Sequence, residues 1–190
     1  MPKKYHNRQS TRLKGYDYSS PGRYFITIIT RNRIHLFGKI EDGAMKLNHL
    51  GKIARDEWNK TLELRPNVSL GEFVIMPDHI HLVFHIDEQL AQPKLSIKDL
   101  EKRSGAVKGR HIIKNHSVST IIRGYKAAVT KQIKDHLRHA DIQDSQGLNV
   151  FSSINLSKSI WLRGYHDIII RNDRAYKNIT QYIIDNPRNW

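Results

Sequence analysis

Between Met76 and Ile86 the chain reads Met-Pro-Asp-His-Ile-His-Leu-Val-Phe-His-Ile, and this run constrains the fold more than any other. Side chains along a strand alternate between faces. Ile80, Leu82, Phe84 and Ile86 therefore line one side, while His79, His81, Val83 and His85 line the other. One side is written for a core and the other carries imidazoles. A half-exposed sheet face on which histidine is merely polar would account for the pattern as well, so residues elsewhere have to decide.

The 190 residues suit a single domain, 1–190, long enough to bury a core without help from metal or disulfides. There is no cysteine, which removes disulfides, thiolate zinc sites and cysteine nucleophiles and fits a reducing cytosol. No apolar run approaches the ~18 residues of a membrane span, and no apolar signal-peptide core follows the charged start. These features predict a soluble, cytoplasmic protein that does not contact membrane. Lys and Arg number 32 against 18 acidic residues, a net charge of +14, and such a surplus predicts a polyanionic partner. Lys3, Lys4, Arg8, Arg12 and Lys14 all precede the first acid, Asp17, in an irregular basic arm spanning 1–20. Lys102, Arg103, Lys108, Arg110 and Lys114 cluster in a polar connector, 87–116. Both segments are expected to contact phosphates, although basic tails also suit a ribosome-bound protein or a binder of acidic lipid.

Periodicity predicts the remaining elements. Tyr24 to Thr30 is β-branched and aromatic enough for a central strand. Asn48 to Leu64 places Leu50, Ile53, Ala54, Trp58 and Leu62 at helical spacing, and Pro66 closes the helix. Glu72–Met76 and His79–Ile86 read as two strands around Pro77-Asp78. From Ser117, Val118, Ile121, Ile122, Tyr125, Val129, Ile133 and Leu137 form a second helical stripe. Arg123, Lys126, Thr130 and Lys134 fall on a different, coherent face of that helix, where the cations can meet phosphates. Ile160 to Arg171 reads as a strand pair or sheet edge, and Asp173 as the cap of a last helix running to Asn186-Pro187. This order predicts an α+β fold: a ferredoxin-like antiparallel sheet carrying helices on one face. RNA-binding modules share the layout, but they stack bases on aromatic strands, and here the corresponding strand presents histidines.

In the last helix Tyr182 and Asn186 are four residues apart, so phenol and amide share a face. Five blocks in this order (RLKGYDY before YFITIIT and LFGKI, MPDHIHLV, RGYKAAVTKQI, WLRGYHDIIIR and QYIIDNPRNW) resemble the HUH single-tyrosine transposases, specifically their REP-associated tyrosine transposase-like group. The resemblance spans nearly the whole chain. One departure is visible: Ile168 stands where that family often has histidine, and neither it nor His166 is given a role.

The resemblance implies an HUH endonuclease-type fold and a transposase that cleaves and rejoins single-stranded or hairpin DNA. Tyr182 would be the nucleophile, forming a covalent 5′-phosphotyrosine and releasing a 3′-OH without ATP. One divalent metal would assist, held by His79, His81 and the Asn186 amide. A phenol of pKa near ~10 is a weak nucleophile, so the phosphorus must be made more electrophilic and the developing charge neutralised. Mg²⁺ or Mn²⁺ suits an open nitrogen–oxygen site, and zinc suits it less without cysteine or a fourth protein ligand. The protein would act as monomer or homodimer and be nucleoid-associated when bound to DNA. A non-catalytic nucleic-acid binder on the same scaffold, or a rolling-circle replication initiator or relaxase, are the other readings. Arg8, Arg12, Tyr16 and Tyr18 are the expected base contacts, the tyrosines by stacking.

Overall fold

The computed structural model describes residues 12–87, 117–139 and 158–190. Lys3, Lys4, Arg8 and the connector cations lie outside the described residues. Four strands, β1 (Gly22–Ile29), β4 (Val68–Ile75), β5 (His79–Ile86) and β6 (His166–Ile170), form one antiparallel sheet in the order β4-β5-β1-β6. Two helices, α1 (His49–Leu64) and α2 (Val118–His139), fill the crossovers, and a third, α3 (Asp173–Asp185), follows β6. A short hairpin, β2 (Gly38–Glu41) and β3 (Ala44–Leu47), stands apart from the sheet.

The main core lies between α1, α2 and one sheet face. Trp58 and Ala54 of α1 and Ile121, Ile122, Tyr125, Val129 and Ile133 of α2 meet Tyr24, Ile26, Ile28, Ile80, Leu82 and Phe84 from the strands. Burying each large side chain this completely contributes about 1.5–3 kcal/mol. The apolar half of the β5 alternation is thus spent here, which leaves the histidine half facing the other way. That second face is covered in part by α3: Ile183, Ile179, Ala175 and Tyr176 pack on Phe25, Val83, Val74 and Ile170. Helices therefore occupy both faces of the sheet, not one. The reason is the β6 sequence itself, whose Ile169 packs on the main core and whose Ile170 packs on the second.

Several boundaries differ from those read in the sequence. Strand β4 begins at Val68, four residues before the expected start, because Val68–Leu70 pairs with Phe84–Ile86 before a bulge interrupts the register. In that bulge Gly71 and Glu72 oppose the single Val83, so the period-2 pattern is broken where the strand continues. The β2–β3 hairpin was not expected, although its turn carries Asp42-Gly43, both at positive φ, the dipeptide that such tight turns favour. The cap of α3 is Asn172, whose side chain accepts from the Ala175 N–H, with Asp173 in the first turn. Tyr18 is not an exposed stacking surface: it is buried in the main core, its hydroxyl accepting from the Leu13 N–H. Tyr16 likewise packs on that core, and its hydroxyl bonds that of Tyr24. Residues 12–21 are therefore part of the folded domain.

Candidate active site

His79 and His81 emerge on the second face of the sheet at the start of β5, both buried. Their Nε2 atoms are 3.1 Å apart. Each ring is oriented from behind. His79 Nδ1–H donates to the Asp78 carboxylate at 2.6 Å, which in the neutral ring leaves Nε2 with a lone pair. His81 Nδ1 lies 2.9 Å from the Thr27 hydroxyl, on the neighbouring strand β1 and in direct register. A hydroxyl can donate or accept, so Thr27 supports either tautomer of His81. With Thr27 donating, His81 Nε2–H points at His79; with Thr27 accepting, both Nε2 lone pairs point at one another. Burial, followed by the charge of His79, pushes the His81 pKa down to about 3, against the opposing pull of Asp78. His81 is neutral at physiological pH, and in the tautomer protonated on Nδ1 its Nε2 can accept or ligate.

Asp78 was not singled out by sequence reasoning, although a carboxylate adjacent to a candidate ligand histidine is a signal for such an orienting partner. It is buried, and its second carboxylate oxygen accepts from Arg33 at 3.1 Å. The turn that presents it is clamped by the segment following β1: Thr30 N–H and its hydroxyl both donate to the Asp78 carbonyl, and Leu36 and Phe37 N–H donate to that of Pro77. Thr27 gave no signal, because the pairing that brings it to His81 spans 54 residues.

From the opposite side, α3 brings Tyr182. Its hydroxyl is 3.3 Å from His81 Nε2, and its ring stands edge-on to Phe25 at 6.2 Å between centroids. The residue is 51% exposed, so the phenol is reachable from solvent while touching the His81 imidazole. Asn186, one turn further, is buried and makes no hydrogen bond to either imidazole. His85, on the same strand face, is elsewhere: its ring abuts Tyr176 at 5.5 Å, and burial lowers its pKa. Among the described residues no group of three or more His, Cys, Asp or Glu is placed to hold a metal. The donors brought together for a cation are therefore the two imidazoles, while Asn186 lies one turn beyond Tyr182 on the neighbouring helix end without bonding either ring. Nε2 atoms 3.1 Å apart have the spacing of two cis ligands lying ~2.1 Å from one divalent ion, so the two rings could share one cation.

A Haemophilus influenzae protein of uncharacterized activity is 34% identical over 185 residues, which is 97% of this chain and 91% of its own. This chain belongs to that protein's family. No family model matches the chain. Among solved structures, a REP-associated tyrosine transposase bound to a REP hairpin superposes with a TM-score of 0.55 at 19% identity, over 96% of this chain and 74% of its own. The likeness shows a shared fold, an antiparallel sheet with helices packed against it. A transposase candidate from Deinococcus radiodurans R1 is more remote, with 18% identity and a TM-score of 0.37 over 93% of this chain and 96% of its own.

The cations expected to contact phosphates are distributed differently from one another. Arg123 is exposed and Lys134 half-buried on α2, and Lys14 is exposed before the Gly15 turn. Lys126 is turned inward: its ammonium donates to the Leu162 and Gly164 carbonyls at 2.9 Å each and lies over the Trp161 ring. Burial pushes its pKa down to about 8. Arg12 is held by the Ser119 and Tyr165 hydroxyls at 2.6 and 2.7 Å, over the Tyr165 ring. Both act first as ties between segments of this family's fold. No helix among the described residues is long and apolar enough to cross a membrane.

Proposed function

We propose that this protein cleaves and rejoins DNA strands by covalent attachment to Tyr182. The observation that carries the reading is the convergence on His81 Nε2 of the His79 imidazole and the exposed Tyr182 phenol, from two elements 101 residues apart in sequence. The phenolic oxygen attacks the phosphorus, the phosphorus–O3′ bond breaks, the upstream fragment leaves with a 3′-OH, and the 5′-phosphate of the downstream fragment stays on the tyrosine. The phenolic proton passes to solvent and the departing 3′ oxygen gains one, so the step is balanced without ATP. Attack by a 3′-OH on the phosphotyrosine reverses it and joins strands.

A divalent cation, Mg²⁺ or Mn²⁺, held by His79, His81 and the Asn186 amide, would polarise the phosphate oxygens. The chain's own residues do the rest. Asp78 and Thr27 hold the two rings with Nε2 forward, Phe25 supports the phenol edge-on, and α3 leaves the tyrosine open to an incoming strand. The neighbour of similar fold holds a REP hairpin, which supports single-stranded or hairpin DNA as the partner, as does the net charge of +14.

The test is a labelled hairpin oligonucleotide from the gene's own flanks, incubated with Mn²⁺ and resolved on a denaturing gel. The protein forms an adduct, Tyr182→Phe forms none, and affinity changes by less than about two-fold, because only the attacking oxygen is lost. An adduct with the Phe variant shifts the nucleophile elsewhere. Tight binding with no adduct under any metal leaves a DNA binder without chemistry.

A further inference from the structure

Beside the histidine pair stands an indole that the cleavage chemistry does not use. Trp190 is 49% exposed, whereas Trp58 and Trp161 are 0% and 3%. Its ring lies 5.5 Å from that of His79, tilted by 30°, and 5.8 Å from that of exposed His35, at 62°. A single exposed aromatic is ordinary on a protein surface; the position of this one is not. It follows the 3₁₀ turn Asn186–Asn189, which packs on β3 and so fixes where the indole stands. His35 lies two residues beyond the turn Arg31–Arg33, whose Arg31 is exposed while Arg33 is paired with Asp78, and the turn before Trp190 carries exposed Arg188. An exposed aromatic face on a chain of net charge +14 suits an unpaired nucleotide, the ring taking the base.

We propose that Trp190, flanked by His35, is a stacking platform for the unpaired DNA base next to the phosphodiester that Tyr182 attacks, an assignment resting on the strand-cleavage reading for that phosphodiester. Trp190 faces His79 and Tyr182 faces His81. The two aromatics thus stand at opposite ends of a pair whose residues are roughly 6–7 Å apart along the strand. A strand engaged at its phosphorus by Tyr182 carries its neighbouring base to the indole.

The exposure difference among the three tryptophans makes the platform measurable by emission. Tyr182→Phe protein without metal is titrated with a short single-stranded oligonucleotide, so that binding is read without cleavage. Quenching of the emission is expected, and it is lost when Trp190→Phe is added to that background. In the same assay Trp190→Ala weakens binding by about ten-fold or more, the range of one missing base–aromatic stack, while Trp190→Phe retains most of the affinity. An abasic residue at one position beside the cleavage site reproduces the Trp190→Ala loss, and the two losses do not add. Binding with unquenched emission, or with equal affinity for Trp190→Ala and the parent, overturns the platform. The two readings separate cleanly. Unchanged adduct formation and affinity in Trp190→Ala leaves cleavage standing and removes the platform. Quenching and a Trp190-dependent affinity in a protein that never forms an adduct does the reverse.

Discussion

Asp78 determines which nitrogen of His79 faces the site. A carboxylate only accepts, so His79 Nδ1 carries a proton, and in the neutral ring Nε2 carries the lone pair. Asp78→Asn reverses this, because an amide N–H can donate to Nδ1 and drive the proton to Nε2. Mn²⁺ affinity measured by paramagnetic resonance titration is expected to fall about 10–100-fold, the usual cost of losing such an orienting partner. Melting should change little, since the clamp on this turn runs through the Asp78 and Pro77 carbonyls. His85→Ala is the matched control: its ring packs on Tyr176 rather than on the His79–His81 pair, so Mn²⁺ affinity should be unaltered. Equal losses in both variants would point to a ligand set that includes His85.

At the scale of elements, α3 reaches its seat because β4 has a glycine in its bulge. A Cβ on Gly71 would lie 2.9 Å from Val83 Cγ1 and 3.4 Å from the Tyr176 hydroxyl. Gly71→Ala is expected to cost about 1–3 kcal/mol by overpacking, read from urea midpoints. It should also slow adduct formation more than it weakens DNA binding, because the helix that moves carries Tyr182. Helix α2 is tied to the 158–165 segment through Lys126. With its folded pKa lowered from 10.5 to about 8, this group binds fewer protons folded than unfolded between those values. Its contribution to stability therefore rises as pH increases from 8 to 10.5. Lys126→Met lacks that rise, so the melting temperature of the parent should gain on the variant across this window. A constant difference from pH 7 to 10 would mean that the ammonium is not desolvated as the geometry requires.

For the whole molecule, charge decides how tightly a polyanion is held and how strongly salt opposes it. Replacing Arg123 and Lys134 together by alanine should reduce the slope of log affinity against log salt by roughly 0.7–0.9 for each phosphate that is no longer neutralised, without preventing adduct formation at saturating protein. An informative truncation of the basic arm ends at Thr11. Removing Arg12 as well would release Ser119 and Tyr165, mixing a folding defect with a binding one. Removing 1–11 should lower hairpin affinity and salt slope. An unchanged slope would assign phosphate binding to the domain alone.

The alternation from His79 to Ile86 determined by itself that one strand would carry a core face and an imidazole face, since period 2 leaves no other arrangement. Helical spacing likewise determined the buried stripes of α1 and α2 and placed Tyr182 and Asn186 on one face. What stayed illegible depended on pairs distant in the chain. The Gly71–Glu72 bulge broke the pattern that would have marked the start of β4, and Asp42-Gly43 was a readable hairpin signal that went unused. Arg12, Tyr18 and Lys126 look like solvent-facing arm and helix residues until their partners at Tyr165, the main core and the Leu162 and Gly164 carbonyls are known. Only the tertiary structure decided that α3 crosses the face opposite α1 and α2. A sequence specifies which side of an element is apolar, whereas the face on which that side is buried depends on sheet order and on strand register, which the folded chain settles collectively.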